Sequence, residues 1–248
     1  MKTLARLAVV AGVVIVPVVP AFADCPAPAE TKGWSGNIGA GLAITSGNTD
    51  TKTFNLAGAA ASDAKERNVI KIDGAYLKSS TSGDETVDRK ALGVRDEYGL
   101  GKRSYAFGEI RYLGDQFKDI KYLISPLVGL GYKLVDEKTV GLSVDAAVGG
   151  AFETPETGDS TNSGAYHVGE TFGWKLTPTA TFSQSATGLW KTRDSSDSLY
   201  RVEASLSASV SSRFELKVSF ADEYKNKPAS VTIKKNDTAL LANVVYKF

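Results

Sequence analysis

From residue 34 onward, apolar and polar side chains alternate at a spacing of two. Trp34, Gly36, Ile38, Ala40, Leu42 and Ile44 share one face, and Ser35, Asn37, Gly39, Gly41, Ala43 and Thr45 share the other. Successive side chains of a pleated strand point to opposite faces, so this spacing predicts a strand with one apolar side. A Gly- and Asn-bearing turn at 46–50 reverses the chain. The pattern returns over 51–62 with Phe54, Leu56, Gly58 and Ala60, and over 69–81 with Ile70, Ile72, Gly74 and Tyr76. Over 87–100 it uses Leu92, Val94 and Tyr98, although Lys90 and Asp96 share that parity. In 104–114 the lipid-type face is Ala106, Gly108, Ile110 and Tyr112, opposite Tyr105, Phe107, Glu109 and Arg111.

The longest stripe lies in 120–135, where Tyr122, Ile124, Pro126, Val128, Leu130, Tyr132 and Leu134 align. A helix would scatter these residues round its circumference, so the period excludes one. Further strands are predicted after the turn at 136–138, around Tyr166 to Trp174, over 179–191, around Tyr200 to Val210 and around Phe214 to Tyr224. The chain closes on 237–248, with Leu240, Ala242, Val244, Tyr246 and Phe248 opposed to Leu241, Asn243, Val245 and Lys247. The fold class predicted is all-β: a transmembrane antiparallel β-barrel of about twelve strands over 33–248, with lipid on one face and a polar interior on the other. An even count places both termini on one side, expected to be periplasmic. The connections near 82–86, 154–163, 194–198 and 226–236 are then long and outer, and those at 136–138 and 211–212 short and inner. The turns at 46–50 and 63–68 depart from that trend. The competing architecture is a soluble periplasmic sandwich in which the last segment is an edge strand.

Export is predicted by residues 1–23: Lys2 and Arg6 precede an apolar run that ends on Ala21, Phe22 and Ala23, a small-x-small cleavage pattern. Asp24 precedes Cys25, where lipid attachment needs a small uncharged residue, so Cys25 is expected to stay unmodified. Residues 24–32 form a Pro/Ala linker without periodicity. Loss of the leader removes two of 29 basic and none of 28 acidic residues, leaving a chain near neutrality with no field to attract nucleic acid. One cysteine forms no internal disulfide. Beyond the leader no run approaches the ~20 apolar residues of a spanning helix. A composition only 42% hydrophobic is compatible with a barrel, because half of each strand faces the lumen.

The Trp34-Ser35-Gly36 opening, the turn from Thr45 through Ser46, Gly47 and Asn48 to Thr49, the tyrosine-rich later strands and the terminal Phe248 resemble the salt-induced outer-membrane protein family. That family has no established activity. The resemblance covers about 33–248 and implies location and fold rather than mechanism.

His167, the single histidine, is the one imidazole available to a catalytic site. Outer-membrane phospholipases carry a serine two residues from such a histidine; position 169 is Gly here, which removes the nucleophile. No nucleophile elbow, phosphate loop or metal-ligand spacing occurs, and no metal or cofactor is expected. The inward parity collects Lys71, Asp73, Arg89, Arg95, Glu97, Glu109, Arg111, Lys133, Asp145, Glu153, Lys175, Arg201, Glu203, Glu215, Lys217 and Glu223. Such charges either pair across and fill the lumen or line a narrow aqueous path. Trp34, Tyr98, Tyr132, Trp174, Trp190, Tyr224, Tyr246 and Phe248 are placed at strand ends, as interfacial girdles. The partners expected are outer-membrane lipids and the barrel-assembly machinery, the latter through the C-terminal strand ending in Phe248. The function expected is non-enzymatic: a narrow channel for ions or small solutes, or a structural envelope component made under salt stress. The alternative is a lipid-modifying outer-membrane enzyme using His167.

Overall fold

The computed structural model describes residues 33–45, 50–63, 67–228 and 233–248. The predicted leader, the linker with Cys25, and parts of the connections at 46–49, 64–66 and 229–232 lie outside the described residues. Twelve antiparallel strands close into one barrel, each hydrogen-bonded to its sequence neighbours and the first to the last. They are β1 Ser35–Thr45, β2 Thr51–Ala61, β3 Asn68–Thr81, β4 Asp84–Gly99, β5 Ser104–Asp115, β6 Ile120–Asp136, β7 Val140–Thr154, β8 Thr161–Lys175, β9 Ala180–Lys191, β10 Ser198–Ser209, β11 Phe214–Lys225 and β12 Asn236–Lys247. Gln116–Lys118 makes a single 3-10 turn. Among the described residues no helix is long and apolar enough to cross a membrane.

The alternation read from the sequence is the inside–outside alternation of the barrel. Leu42, Ile110, Val128, Leu130 and Leu240 stand exposed on the outer face, while Asn55, Glu109, Ser125, Glu203 and Asn243 are buried inside it. Closure pairs Asn37 with Lys247, Ile38 with Tyr246, Gly39 with Val245 and Ala40 with Val244. Beside these, the Gly36 and Phe248 backbones exchange two hydrogen bonds of 2.9 and 3.0 Å. The start of β1 and the end of β12 therefore lie at one rim, called the terminal rim; the opposite end is the far rim. The Phe248 ring lies where a Cβ on Gly36 would stand, so the closure needs glycine at 36.

The connection after β3 differs from expectation. A five-residue outer loop was predicted over 82–86, but the turn is only Ser82 and Gly83, with φ of 54° and 96°. Two successive positive φ values make the tight hairpin turn whose twist matches that of the flanking strands. Asp84 and Glu85 consequently join β4, and Glu85 ion-pairs with Lys78 on the neighbouring strand. The connection between β7 and β8 is likewise shorter than predicted, because Thr161 to Ser163 pair with β7.

Inside the wall, aromatic rings lie over glycines of the next strand. Tyr105 is paired with Gly131 and Phe107 with Gly129, and a Cβ at either glycine would overlap the ring. The freed space brings the Arg95 guanidinium 3.6 Å from the centre of the Phe107 ring, a cation–π contact inside the barrel.

Candidate functional site

Two charge networks fill different depths of the lumen. At mid-height, Arg95 reaches Glu97 at 2.7 Å, Glu109 at 3.1 Å and Asp145 at 3.0 Å. Arg111 holds Glu109 at 2.6 Å and Asp73 at 3.5 Å, and Lys71 holds Glu97 at 3.0 Å. Towards the far rim, Glu223 collects Arg89, Lys118 at 3.0 Å and Arg201 at 3.5 Å. Lys118 also meets Asp237 at 2.9 Å, and Arg89 meets Asp115 at 3.6 Å. Beside this hub, Glu153 accepts from Lys191 at 2.6 Å and Lys225 at 2.5 Å. Burying charges is costly unless partners are close, and these networks supply partners of both signs.

Most of the charges read from inward parity are brought together in these networks. Glu203 meets Lys217 at 3.9 Å and Arg201 at 3.8 Å, which joins that pair to the Glu223 hub, and Glu215 pairs with Lys247 at 2.6 Å near the terminal rim. Lys133 and Lys175 sit at the terminal rim, where Lys133 is 4.0 Å from Asp136. Sequence reasoning missed Lys118, Asp115, Lys191, Lys225 and Asp237. Lys191 and Lys225 carried a usable signal, since both have inward parity at strand ends. Lys118 carried little, because 115–119 reads as a polar loop. In the fold, Asp115 caps the 3-10 turn by accepting from the backbone N–H of Phe117 and Lys118 at 3.2 Å, and Asp119 ends it at φ 57°. That tight turn carries Lys118 back into the lumen, where it is buried.

The aromatic residues form two outer belts. Trp34, Tyr98, Tyr132, Trp174, Tyr246 and Phe248 surround the terminal rim. Trp190 and Tyr224 stand at the far rim, together with Tyr122, Phe152, Tyr166 and Tyr200. Trp190 donates its indole N–H to the Tyr200 hydroxyl at 2.9 Å, and the rings meet edge to face. The outer face is not wholly apolar: Lys90 stands over Tyr76, and Glu170 accepts from the Gln184 amide at 3.0 Å.

A cavity of about 200 Å³ occupies the lumen between the terminal rim and the far hub, which forms its floor through Arg89 and Glu223. Its walls are unequal. Leu113 pairs with Leu123, and Leu189 with Leu199, so two leucine pairs face the cavity from β5–β6 and β9–β10. Ala91, Leu127, Gly169 and His167 with charged and hydroxyl side chains complete the lining.

A family model matches residues 38–248, from the first strand to the last residue. The chain belongs to DUF481, a protein family of unknown function. The fold is that of outer-membrane porins. The NanC porin superposes with a TM-score of 0.53 at 9% identity, over 86% of this chain and 98% of that one. An outer-membrane channel from Pseudomonas putida F1 gives 0.51 at 11% identity, over 89% and 97% of the two chains. No curated protein matches the chain. At such identities the likeness concerns architecture alone.

His167 lies on the inner face of β8, its Nε2 3.2 Å from Asp145 Oδ1. Among the described residues no hydroxyl hydrogen-bonds the imidazole, and no group of histidine, cysteine and carboxylate side chains has the geometry of a metal site. The imidazole is thus part of the wall, tied to the same carboxylate as Arg95.

At the far rim, Lys227 ion-pairs with Asp194, which also accepts from the Ser196 backbone N–H at 3.0 Å and its hydroxyl at 2.5 Å. These donors hold the Asp194 carboxyl down to about 2. A lowered pKa adds stability that is complete above the carboxyl's ordinary value and lost as pH falls through the folded one. The stability difference between the protein and Asp194→Asn is therefore expected to be constant from neutral pH to about 4 and to vanish near 2. Denaturant unfolding across that pH range checks it; a difference fading near neutrality would contradict the clasp.

Proposed function

We propose that the chain is a narrow outer-membrane channel for small solutes, with no enzymatic step. The observation that carries this reading is the cavity of about 200 Å³ inside a barrel whose outer face is largely apolar. Charges of both signs along a confined path replace part of an ion's hydration shell, which is how narrow pores admit small solutes and exclude large ones. The terminal rim faces the periplasm in this reading. The segment ending in Phe248 is what the barrel-assembly machinery engages, and the aromatic belts sit at the two lipid–water interfaces.

The Glu223 hub supports a low-conducting resting state, since it fills the lumen on the far side of the cavity. It also favours a second reading: a structural envelope component, made under salt stress as the resemblance to the salt-induced family implies. Planar-bilayer recording separates the two. Small resolvable current steps in potassium chloride are expected, and Lys118→Ala, which removes the side chain that enters from the 3-10 turn, is expected to raise the step size severalfold. Absence of steps in both proteins would leave the structural role.

A further inference from the structure

The charges lining the cavity are balanced in number, five cations and five carboxylates, but not in what they present to it. The side chain of Arg111 is 43% exposed, whereas its partners Asp73 and Glu109 are 4% and 2% exposed. Lys217 is 18% exposed against 2% for Glu203, and Arg201 is 16% exposed against 1% for Glu223. Arg111, Arg201 and Glu223 all line the cavity. In the Arg111 and Arg201 pairs the carboxylate is thus the more deeply packed end and the cation the end more open to the cavity. Fixed dipoles pointing one way give a site a sign even where the formal charges cancel. Nearer the terminal rim the asymmetry disappears: Lys71 and Glu97 are 12% and 13% exposed.

The apolar wall adjoins the two arginines. On β5, Arg111 is followed at the next inward position by Leu113, whose cross-strand partner is Leu123. On β10, Arg201 is preceded at the next inward position by Leu199, whose partner is Leu189. In both cases the leucine pair lies on the far-rim side of the guanidinium. From Arg111 to Asp115, which pairs with Arg89 at the floor, there are four residues, about 13 Å along the strand at ~3.3 Å each. A space of this size is comparable with engineered apolar cavities of about 150 Å³ that hold a benzene molecule.

We propose that the lumen cavity binds small amphipathic carboxylates, short-chain aliphatic or monocyclic aromatic acids, with the carboxylate between Arg111 and Arg201 and the apolar body between the two leucine pairs. Planar guanidinium groups suit a carboxylate because they offer paired N–H donors in a fixed plane. Beside the two arginines the acids Glu109, Glu203 and Glu223 are at most 2% exposed and give an organic cation little to meet; the more exposed Glu97 and Asp145 are held by Arg95 nearer the terminal rim. Leucine side chains beside the arginines reward an apolar body that a simple inorganic anion lacks. Entry from the terminal rim rests on the channel reading; binding itself does not.

The test uses calorimetric titration of the detergent-solubilised barrel with sodium hexanoate, sodium acetate and hexylammonium chloride. Hexanoate is expected to bind at least about tenfold more tightly than either of the others. Arg111→Gln is expected to weaken hexanoate about tenfold, the loss of one charge-assisted contact. Leu189→Asn is expected to bring hexanoate down to the level of acetate. Heat-modifiable migration on a gel reports whether each variant is a closed barrel, and the Leu189 variant serves if the arginine variant does not fold. Equal binding of hexanoate and hexylammonium, or no hexanoate binding by the folded protein, overturns the proposal. Hexanoate binding without potassium chloride currents removes only the channel reading, and currents without hexanoate preference remove only this one.

Discussion

Glu223→Gln is expected to lower the stability of the barrel by about 3–5 kcal/mol, the range for removing one partner of a buried charge network. Glu223 is among the most deeply buried side chains and is the shared anion of Arg89, Lys118 and Arg201. An amide there is neutral and returns one acceptor where two oxygens served three cations. Arg89 retains Asp115 at 3.6 Å and Lys118 retains Asp237 at 2.9 Å, so the hub loosens rather than empties. Two readouts should move together: the denaturant midpoint falls, and single-channel current rises as the hub opens. Replacing Glu223 and Arg89 together by leucine should recover part of the stability, because the two closest partners go together, while Asp115 loses its cation. Lys118 would then lean on Asp237 alone. A single-variant loss below about 1 kcal/mol, the level of an exposed ion pair, would show that the hub does not hold the far end.

Removal of Phe248 is expected to have the second largest effect, through closure rather than through the lumen. The seam between β1 and β12 has four ladder pairs, against eleven for β1 with β2 and eleven for β11 with β12. The Gly36–Phe248 exchange extends that short seam by two backbone hydrogen bonds. At about 1 kcal/mol each, and more where the orphaned Gly36 groups meet lipid, their loss costs about 2–4 kcal/mol. The truncated chain should therefore unfold at lower denaturant and give less of the fast-migrating barrel on an unheated gel. Gly36→Val should act in the same direction, since its side chain displaces the Phe248 ring while leaving the chain length intact. Wild-type closure in both variants would mean that the ladder pairs from Asn37 to Ala40 suffice.

These two sites differ in how far the sequence could announce them. The closing strand was legible, because the alternation of Leu240, Ala242 and Val244 with Leu241, Asn243 and Val245 needs only local geometry. The outer stripes of β1, β5 and β6 were legible for the same reason, as was the inward parity of Arg95, Glu109 and Asp145. The turn at Ser82 and Gly83 was misjudged because 82–86 is polar throughout, while the turn depends on backbone angles that composition does not reveal. Lys118 was invisible because a loop residue has no parity. Its inward path is set by the Asp115 cap and the left-handed backbone at Asp119.

Taken alone, the sequence determined the all-β class, the two faces of each strand and many, though not all, of the charges facing inward. These follow from a period of two, which belongs to a single strand and persists whatever the strand touches. Only the tertiary structure decided which charges meet: Arg89 finds Glu223 134 positions away, and Lys118 finds it 105 away. Those encounters arise because closure bends twelve strands round one axis and brings opposite walls within reach of a side chain. The same curvature tucks the carboxylates of Asp73, Glu109 and Glu203 behind their cations. The sign shown to the cavity is therefore a property of packing, and counting charges along the chain does not reveal it.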